Sequence, residues 1–257
     1  MRRCMYDRFP VHDDARGVPR ARSQLAPRME AFIDTLFSDP EMLRMGHDQR
    51  LPDRNLGLGW LYYALGRVLR CNLAVVIGSY RGFVPAIIAK ALRDNVEGGE
   101  LVFIDPSMVD DFWTDSQRVA QHFARLGAPN VRHFRQTTQE FVKSGAYAAL
   151  RDVGLVMIDG YHSAEQARFD YLSFLDKLAE DAVVMFHDSV RPVASRIYGR
   201  DRPYDCTVHL LMERLRLTPG LEVFSLTAGR GITLVRGRPR SLAAIEAPFE
   251  VEASASV

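Results

Sequence analysis

The 257-residue sequence predicts an α/β fold, doubly wound around a mostly parallel seven-stranded sheet, on three observations. Apolar runs of strand length (LAVVI, LVFI, LVMI and AVVMF) alternate with longer stretches of helical periodicity, the pattern of successive βαβ units. Those runs are apolar at nearly every position, so both faces of the sheet must be covered. Near the end of the chain, LEVFSL (221–226) and GITLVRG (231–237) flank a turn containing Gly229 and read as an antiparallel hairpin closing one sheet edge.

Taken in order, residues 1–22 hold six arginines (positions 2, 3, 8, 16, 20 and 22) beside Asp7, Asp13 and Asp14, with no apolar stretch of the signal-peptide kind. They read as a flexible basic arm. Residues 23–70 form a helical cap. In Gln24–Phe37, Leu25, Met29, Phe32, Ile33 and Leu36 recur at helical spacing. A second helix, about 56–70, puts Leu61, Ala64, Leu65, Val68 and Leu69 on one face and crowds Trp60, Tyr62 and Tyr63 onto the same turns. These helices either roof a crevice or offer a homodimer face. The α/β domain spans 71–240, with strands at 73–77, 101–105, 131–134, 155–159 and 182–187. Its helices fall near 83–93, 116–126, 137–151, 163–179 and 206–217. Residues 241–257, rich in Ala, Glu and Ser, read as a disordered tail.

Bulk properties exclude some functions. Lys and Arg number 33 against 32 Asp and Glu, a formal net charge of +1, which gives no reason to expect nucleic acid or an anionic membrane as partner. No apolar run approaches the ~20 residues of a membrane span. Cys4, Cys71 and Cys206 follow no metal or disulfide spacing and suit a reducing, cytoplasmic setting. A small-molecule substrate is the remaining expectation.

The chemistry concentrates at strand ends. Gly78-Ser79-Tyr80-Arg81-Gly82 follows the first strand and opens a helix, and Asp105-Pro106-Ser107 ends the next strand. Parallel α/β domains build an adenosine-binding crevice in this way, with glycines admitting backbone to the ligand and a carboxylate meeting ribose hydroxyls. The GxxxG spacing lacks the GxGxxG pattern that seats a pyrophosphate, which argues against a nicotinamide oxidoreductase. Asp159-Gly160-Tyr161-His162 and His187-Asp188-Ser189 end two further consecutive strands, so Asp159 and Asp188 should project at one rim of the sheet. Two carboxylates that close repel unless a cation lies between them, and hard oxygens suit Mg²⁺. Asp159, Asp188 and His187 are thus the candidate metal ligands. His162, with a reference pKa near neutrality, is the candidate general base beside Asp159.

FIDPS, MIDGYHSAEQARFDY and MFHDS, with the C-terminal hairpin, resemble the class I S-adenosylmethionine-dependent methyltransferases. The likeness is to the small-molecule O-methyltransferase group of macrocin-type sugar methyltransferases and cephalosporin-hydroxylase-like proteins, and it covers about residues 70–240. It implies a Rossmann-like methyltransferase fold with S-adenosylmethionine on Gly78, Ser79, Tyr80, Arg81, Gly82, Asp105, Pro106, Ser107, Asp159, Gly160 and Tyr161. It also implies divalent metal at Asp159 and Asp188. By the same resemblance the loop carrying Thr137 and Thr138 lies near the adenine ring, although a helix N-cap with Glu140 explains those threonines equally. Val76 stands where relatives place an acid that holds the methionine end of the cofactor. Ser189 stands where catechol-type relatives carry an amide metal ligand.

The expectation is an O-methyltransferase acting on a hydroxyl of a sugar, phenol or natural-product intermediate, with Trp60, Tyr62, Tyr63, Phe112, Trp113, Tyr161 and Tyr198 as candidate acceptor surfaces. Two alternatives stand beside it: a non-enzymatic methyltransferase-like partner protein, which Val76 favours, and an enzyme running another reaction on the same scaffold.

Overall fold

In a computed structural model, residues 25–43, 46–95 and 98–249 are described; the basic arm and residues 250–257 lie outside them. In chain order they form α1 (Leu25–Phe37), a 3-10 turn (Pro40–Leu43), α2 (Gly59–Leu69), β1 (Leu73–Ile77), α3 (Phe83–Asp94), β2 (Glu100–Ile104), α4 (Ser116–Arg125) and β3 (Val131–Phe134). There follow α5 (Thr138–Phe141), α6 (Gly145–Ala148), β4 (Val153–Ile158), α7 (Ala164–Phe174), β5 (Leu178–His187), β6 (Val193–Ser195), β7 (Tyr204–Cys206), α8 (Val208–Leu217), β8 (Leu221–Leu226), β9 (Ile232–Gly237) and α9 (Ala243–Glu246).

The seven-stranded sheet runs β3-β2-β1-β4-β5-β9-β8. β1 pairs in parallel with β2 on one side and β4 on the other, β3 and β5 extend the parallel part, and β9 and β8 close the edge antiparallel. The chain thus winds outward from β1 to β3 and returns to β4, which puts the topological switch, and the crevice such a switch opens, at the carboxyl ends of β1 and β4. Side chains alternate across the sheet. Ala74 and Val76 enter one apolar layer with α1, α2 and α3, while Val75 and Ile77 enter the other with α7 and α8. Burial on both faces explains why the strand runs carry no polar alternation.

Four details differ from the sequence expectation. On α2 the buried stripe is Gly59, Tyr62 and Gly66, whereas Ala64 and Val68 face solvent. Gly66 sets the rotation: a Cβ there would come within 2.7 Å of Ala91 Cβ, so α2 turns its small face to α3. The helix expected over 137–151 is two short turns, because Thr137 makes a capping box with Glu140 and Ser144 starts a new cap on Tyr147 N–H. The stretch between β5 and α8 holds an antiparallel β6–β7 ribbon where no strand was expected. Residues 241–249, expected in the disordered tail, are ordered through α9: Ile245 is fully buried, and Phe249 receives the Arg168 and Arg214 guanidiniums at 4.9 and 3.8 Å. An apolar anchor and two cation–π contacts outweigh the polar composition around them. No helix among the described residues is long and apolar enough to cross a membrane.

Asp170 on α7 is 1% exposed, and Gln166 Nε2 donates to it at 2.8 Å. Burial pushes its carboxyl up to about 7, although hydrogen bonds from Thr138 and Gln166 favour the charged form. The folded state therefore holds this proton more tightly than the unfolded chain. The stabilisation is present below the ordinary carboxylate range and is lost as pH rises through about 7, at most about 1.4 kcal/mol per pH unit. Urea unfolding at pH 5 and pH 8 should show a smaller stability loss in Asp170→Asn than in the native chain; equal losses would contradict the assignment.

Candidate active site

Hydrogen bonds running past the strand ends align four loops at the switch point. Gly78 N–H donates to Ile104 O, and Asp159 N–H donates to Ile77 O, each at 2.8 Å. Gly78 has φ +75°, and a Cβ on it would overlap the Gly160 Cα and the Asp159 carbonyl. The missing Gly78 side chain lets the turns after β1 and β4 meet backbone to backbone, whereas a Cβ on Gly160 would find only ordinary contacts at 3.6 Å and beyond. Gly82, at φ +85°, caps α3. The loops surround a cavity of about 430 Å³, within the usual range of small-molecule sites.

Gly78, Ser79, Tyr80, Arg81, Asp105, Pro106, Asp159, Gly160 and Tyr161, all expected to hold a cofactor, line this cavity. Asp105 accepts from Ser79 N–H at 3.1 Å and from Ser107 N–H at 2.8 Å, which fixes its carboxylate at the rim; burial raises its pKa against those two bonds. Tyr80 hydroxyl donates to Glu41 at 3.0 Å, and Arg81 lies over the Tyr80 ring while pairing with Asp110 at 2.6 Å. Gly82, Ser107, Thr137 and Thr138 do not line the cavity. Ser107 is spent on the Asp110 carbonyl and Trp113 N–H, Thr137 on its capping box, and Thr138 on Asp170. Val76 is fully buried in the apolar layer under α3.

The second half of the cavity is a cluster of carboxylates and imidazoles. His187 Nδ1 stands 2.9 Å from Asp159 Oδ1 and 3.3 Å from Asp188 Oδ1, and His162 Nε2 is 3.9 Å from Asp159 Oδ1. The structure adds His47, which arrives on the loop before α2. His47 Nε2 lies 3.5 Å from Asp159 Oδ2, and its Nδ1 is 3.0 Å from the Tyr62 hydroxyl. Its ring stacks on Phe83 at 5.3 Å. Leu58 N–H donates to the His47 carbonyl at 2.8 Å, and Gly57, at φ +58°, leaves room for that strand of backbone.

Burial, and then the neighbouring His187, lowers the pKa of His47 to about 3, so this ring is neutral. Burial also lowers His162, outweighing Asp188 and Asp159. Burial opposes charge on His187 too, but the Asp159 and Asp188 carboxylates raise it to about 9. Asp159 remains below its ordinary value because His187 and His47 more than offset its burial. Two neutral imidazoles, a cationic one and an ionised carboxylate thus coexist in one buried cluster.

Other elements frame the cluster. Arg230, on the β8–β9 turn, donates to Asp188 Oδ2 at 3.4 Å. Ser189 Oγ turns away and donates to Thr233 Oγ1 at 2.8 Å, so it stands behind the cluster, tied to β9. Thr207 N–H donates to the His162 carbonyl at 2.8 Å and its Oγ1 accepts from Ala164 N–H, which tethers the His162 loop to α8. Of the aromatic acceptor candidates, Tyr161 and Tyr198 line the cavity, joined by Tyr204; Tyr161 and Tyr204 stack at 4.6 Å and 13°. Tyr62 is buried behind His47, and Phe112 and Trp113 belong to an aromatic cluster with His122 beside Arg81. His47, Arg230 and Tyr204 sit in stretches with neither periodicity nor a strand-end acid, so no local signal marked them.

Residues 75–189 match the family model described as a methyltransferase domain. A comparison with curated proteins found no match. Among solved structures, the chain is similar to an O-methyltransferase from Streptomyces achromogenes involved in tomaymycin synthesis, in complex with S-adenosylmethionine (17% identity, TM-score 0.56, 81% of this chain and 90% of that one). It is similar to an O-methyltransferase from Bacillus cereus in complex with S-adenosylhomocysteine (12%, 0.58, 81% and 91%). A third likeness is to an S-adenosylhomocysteine-bound methyltransferase from Podospora anserina (16%, 0.55, 87% and 99%). The fold is the Rossmann-like one of these methyltransferases.

The glycine pair yields a prediction. Gly78→Ala should cost about 2–4 kcal/mol in denaturant unfolding, from left-handed strain plus overlap with Gly160. Gly145→Ala, in open space at a helix start, should stay within about 1 kcal/mol of the native chain. A Gly78→Ala loss no larger than that of Gly145→Ala would show that the contact is dispensable.

Proposed function

With a methyltransferase domain at residues 75–189 set in the class I S-adenosylmethionine-dependent fold, we propose that this chain transfers a methyl group to a hydroxyl of a small molecule. One observation carries the reading: the glycine turn with Asp105 and the Asp159–His162 cluster open onto the same cavity. Each Asp105 oxygen takes a single backbone donor and keeps lone pairs that would accept from ribose hydroxyls. Val76 offers no acceptor to an ammonium group, and the acid on this wall, Glu41, is engaged by the Tyr80 hydroxyl at 3.0 Å.

S-adenosylmethionine, when bound, supplies the electrophilic methyl group. The chain's part is orientation and a deprotonated nucleophile. The His162 ring, kept neutral by burial, takes the proton of the acceptor hydroxyl, and Asp159 at 3.9 Å steadies the imidazolium so formed. The stacked Tyr161 and Tyr204 rings, with Tyr198 beside them, offer a flat apolar face to the acceptor. Mg²⁺ does not fit this arrangement. It demands oxygen ligands in a near-octahedral set, and here His187 Nδ1 occupies the approach between the two carboxylates. No step of this mechanism runs through it.

Titration calorimetry with S-adenosylmethionine and S-adenosylhomocysteine tests the cofactor. Micromolar binding is expected, and Asp105→Ala should weaken it by about 10- to 100-fold through loss of charge-assisted hydrogen bonds. Absence of binding would make the non-enzymatic methyltransferase-like protein the better reading. In product mass spectra over a panel of sugars and phenols, His162→Gln should lower methyl transfer by about 10²- to 10⁴-fold while leaving cofactor affinity intact. A variant that transfers methyl at the native rate would remove His162 as base.

A further inference from the structure

The cluster that excludes Mg²⁺ is well made for a different ion. Two sets of potential ligand atoms, His47 with Asp159 and His187, and His162 with His187 and Asp188, each fall within 4.8 Å of one another. Three imidazoles and two carboxylates form a borderline nitrogen–oxygen donor set, the kind that selects first-row transition ions over hard alkaline-earth ones. The spacings agree. Two ligand atoms each ~2.1 Å from an ion stand about 3.0 Å apart on an octahedral edge and about 3.4 Å apart on a tetrahedral one. The distances here are 2.9 Å for His187 Nδ1 to Asp159 Oδ1 and 3.5 Å for His47 Nε2 to Asp159 Oδ2.

Asp188 Oδ1 is buried with no hydrogen-bond partner among the described residues, and His187 Nδ1, held 2.9 Å from Asp159 Oδ1, lies 3.3 Å from it. A cation between the imidazole and the two carboxylates would satisfy Asp188 and take the place of the His187 proton. Behind His47, the Tyr62 hydroxyl at Nδ1 is the outer partner that orients a ligating imidazole and leaves Nε2 facing the centre.

We propose that His47, Asp159 and His187 bind a divalent first-row transition metal of the Fe²⁺-to-Zn²⁺ group, with the Asp188 carboxylate beside them and His162 outside the ligand set. This rests on the reading of the cluster as the reaction centre, but not on the identity of the methyl donor. His47 thereby becomes a binding residue contributed by the helical segment ahead of β1.

The test uses the full, tag-free chain, stripped with chelator and titrated with Co²⁺, Zn²⁺ and Mg²⁺, the Co²⁺ arm read by its visible ligand-field bands. One equivalent of Co²⁺ or Zn²⁺ should bind at least 100-fold more tightly than Mg²⁺, and His47→Gln should weaken Co²⁺ by 10-fold or more and change its spectrum. If His47→Gln does not fold, Tyr62→Phe, which keeps the ligand and removes its outer partner, should still weaken Co²⁺ about 10-fold. Equal affinity for Mg²⁺, or Co²⁺ binding indifferent to whichever of these variants folds, would overturn the proposal. S-adenosylmethionine titrations on the same samples separate the two readings: cofactor binding without transition-metal preference sinks only the metal, and metal binding without cofactor binding sinks only the methyltransferase assignment.

Discussion

The contact between the backbones of Gly78 and Gly160 is the constraint on which the rest depends. Parallel strands β1 and β4 are neighbours, but their following loops lead to helices on opposite faces of the sheet, so the loops would splay if Gly78 carried a side chain at the crossing. Held together, they bring the Ser79–Asp105 hydrogen bond to one side of the cavity and Asp159 to the other. That geometry is set by the missing Cβ of Gly78 and by backbone hydrogen bonds that continue past the strand ends.

Charge organises the second half of the site. Asp159 is the hub, within 4 Å of three imidazoles, and its ionisation is sustained against burial by those neighbours. The three rings are not equivalent: His187 is cationic beside two acids, whereas His47 and His162 stay neutral through desolvation. Environments that push like groups apart in pKa are how a pocket assigns a proton acceptor and a charge partner from the same residue type.

Much of the fold was legible in the sequence because buried parallel strands leave an unmistakable record, apolar at every position and ended by glycine or acid. Asp105, Asp159, His187 and Asp188 stand at those ends, and each falls on the cavity wall as expected. What the sequence hid is of two kinds. Local capping competes with distant roles: Thr137 and Thr138 satisfy a helix start and Asp170, and Ser189 satisfies Thr233. Contacts made only in three dimensions leave no pattern at all, as with His47, which meets Asp159 across more than a hundred residues of chain, and Gly66, whose value lies in Ala91. The mis-set face of α2 follows from the same cause, since apolar spacing counts Leu and Val but not the glycines that decide which side approaches.

The place of His47 bears on where this protein's working unit begins. The match to the methyltransferase-domain model starts within β1, yet the third imidazole of the cluster comes from the loop before α2, upstream of that boundary. A fragment cut at the domain edge would retain the sheet strands that bear Asp159 and Asp188 while lacking one imidazole of the His–Asp cluster. The cluster's third imidazole thus depends on the folding of the segment before β1 and not on the matched domain alone.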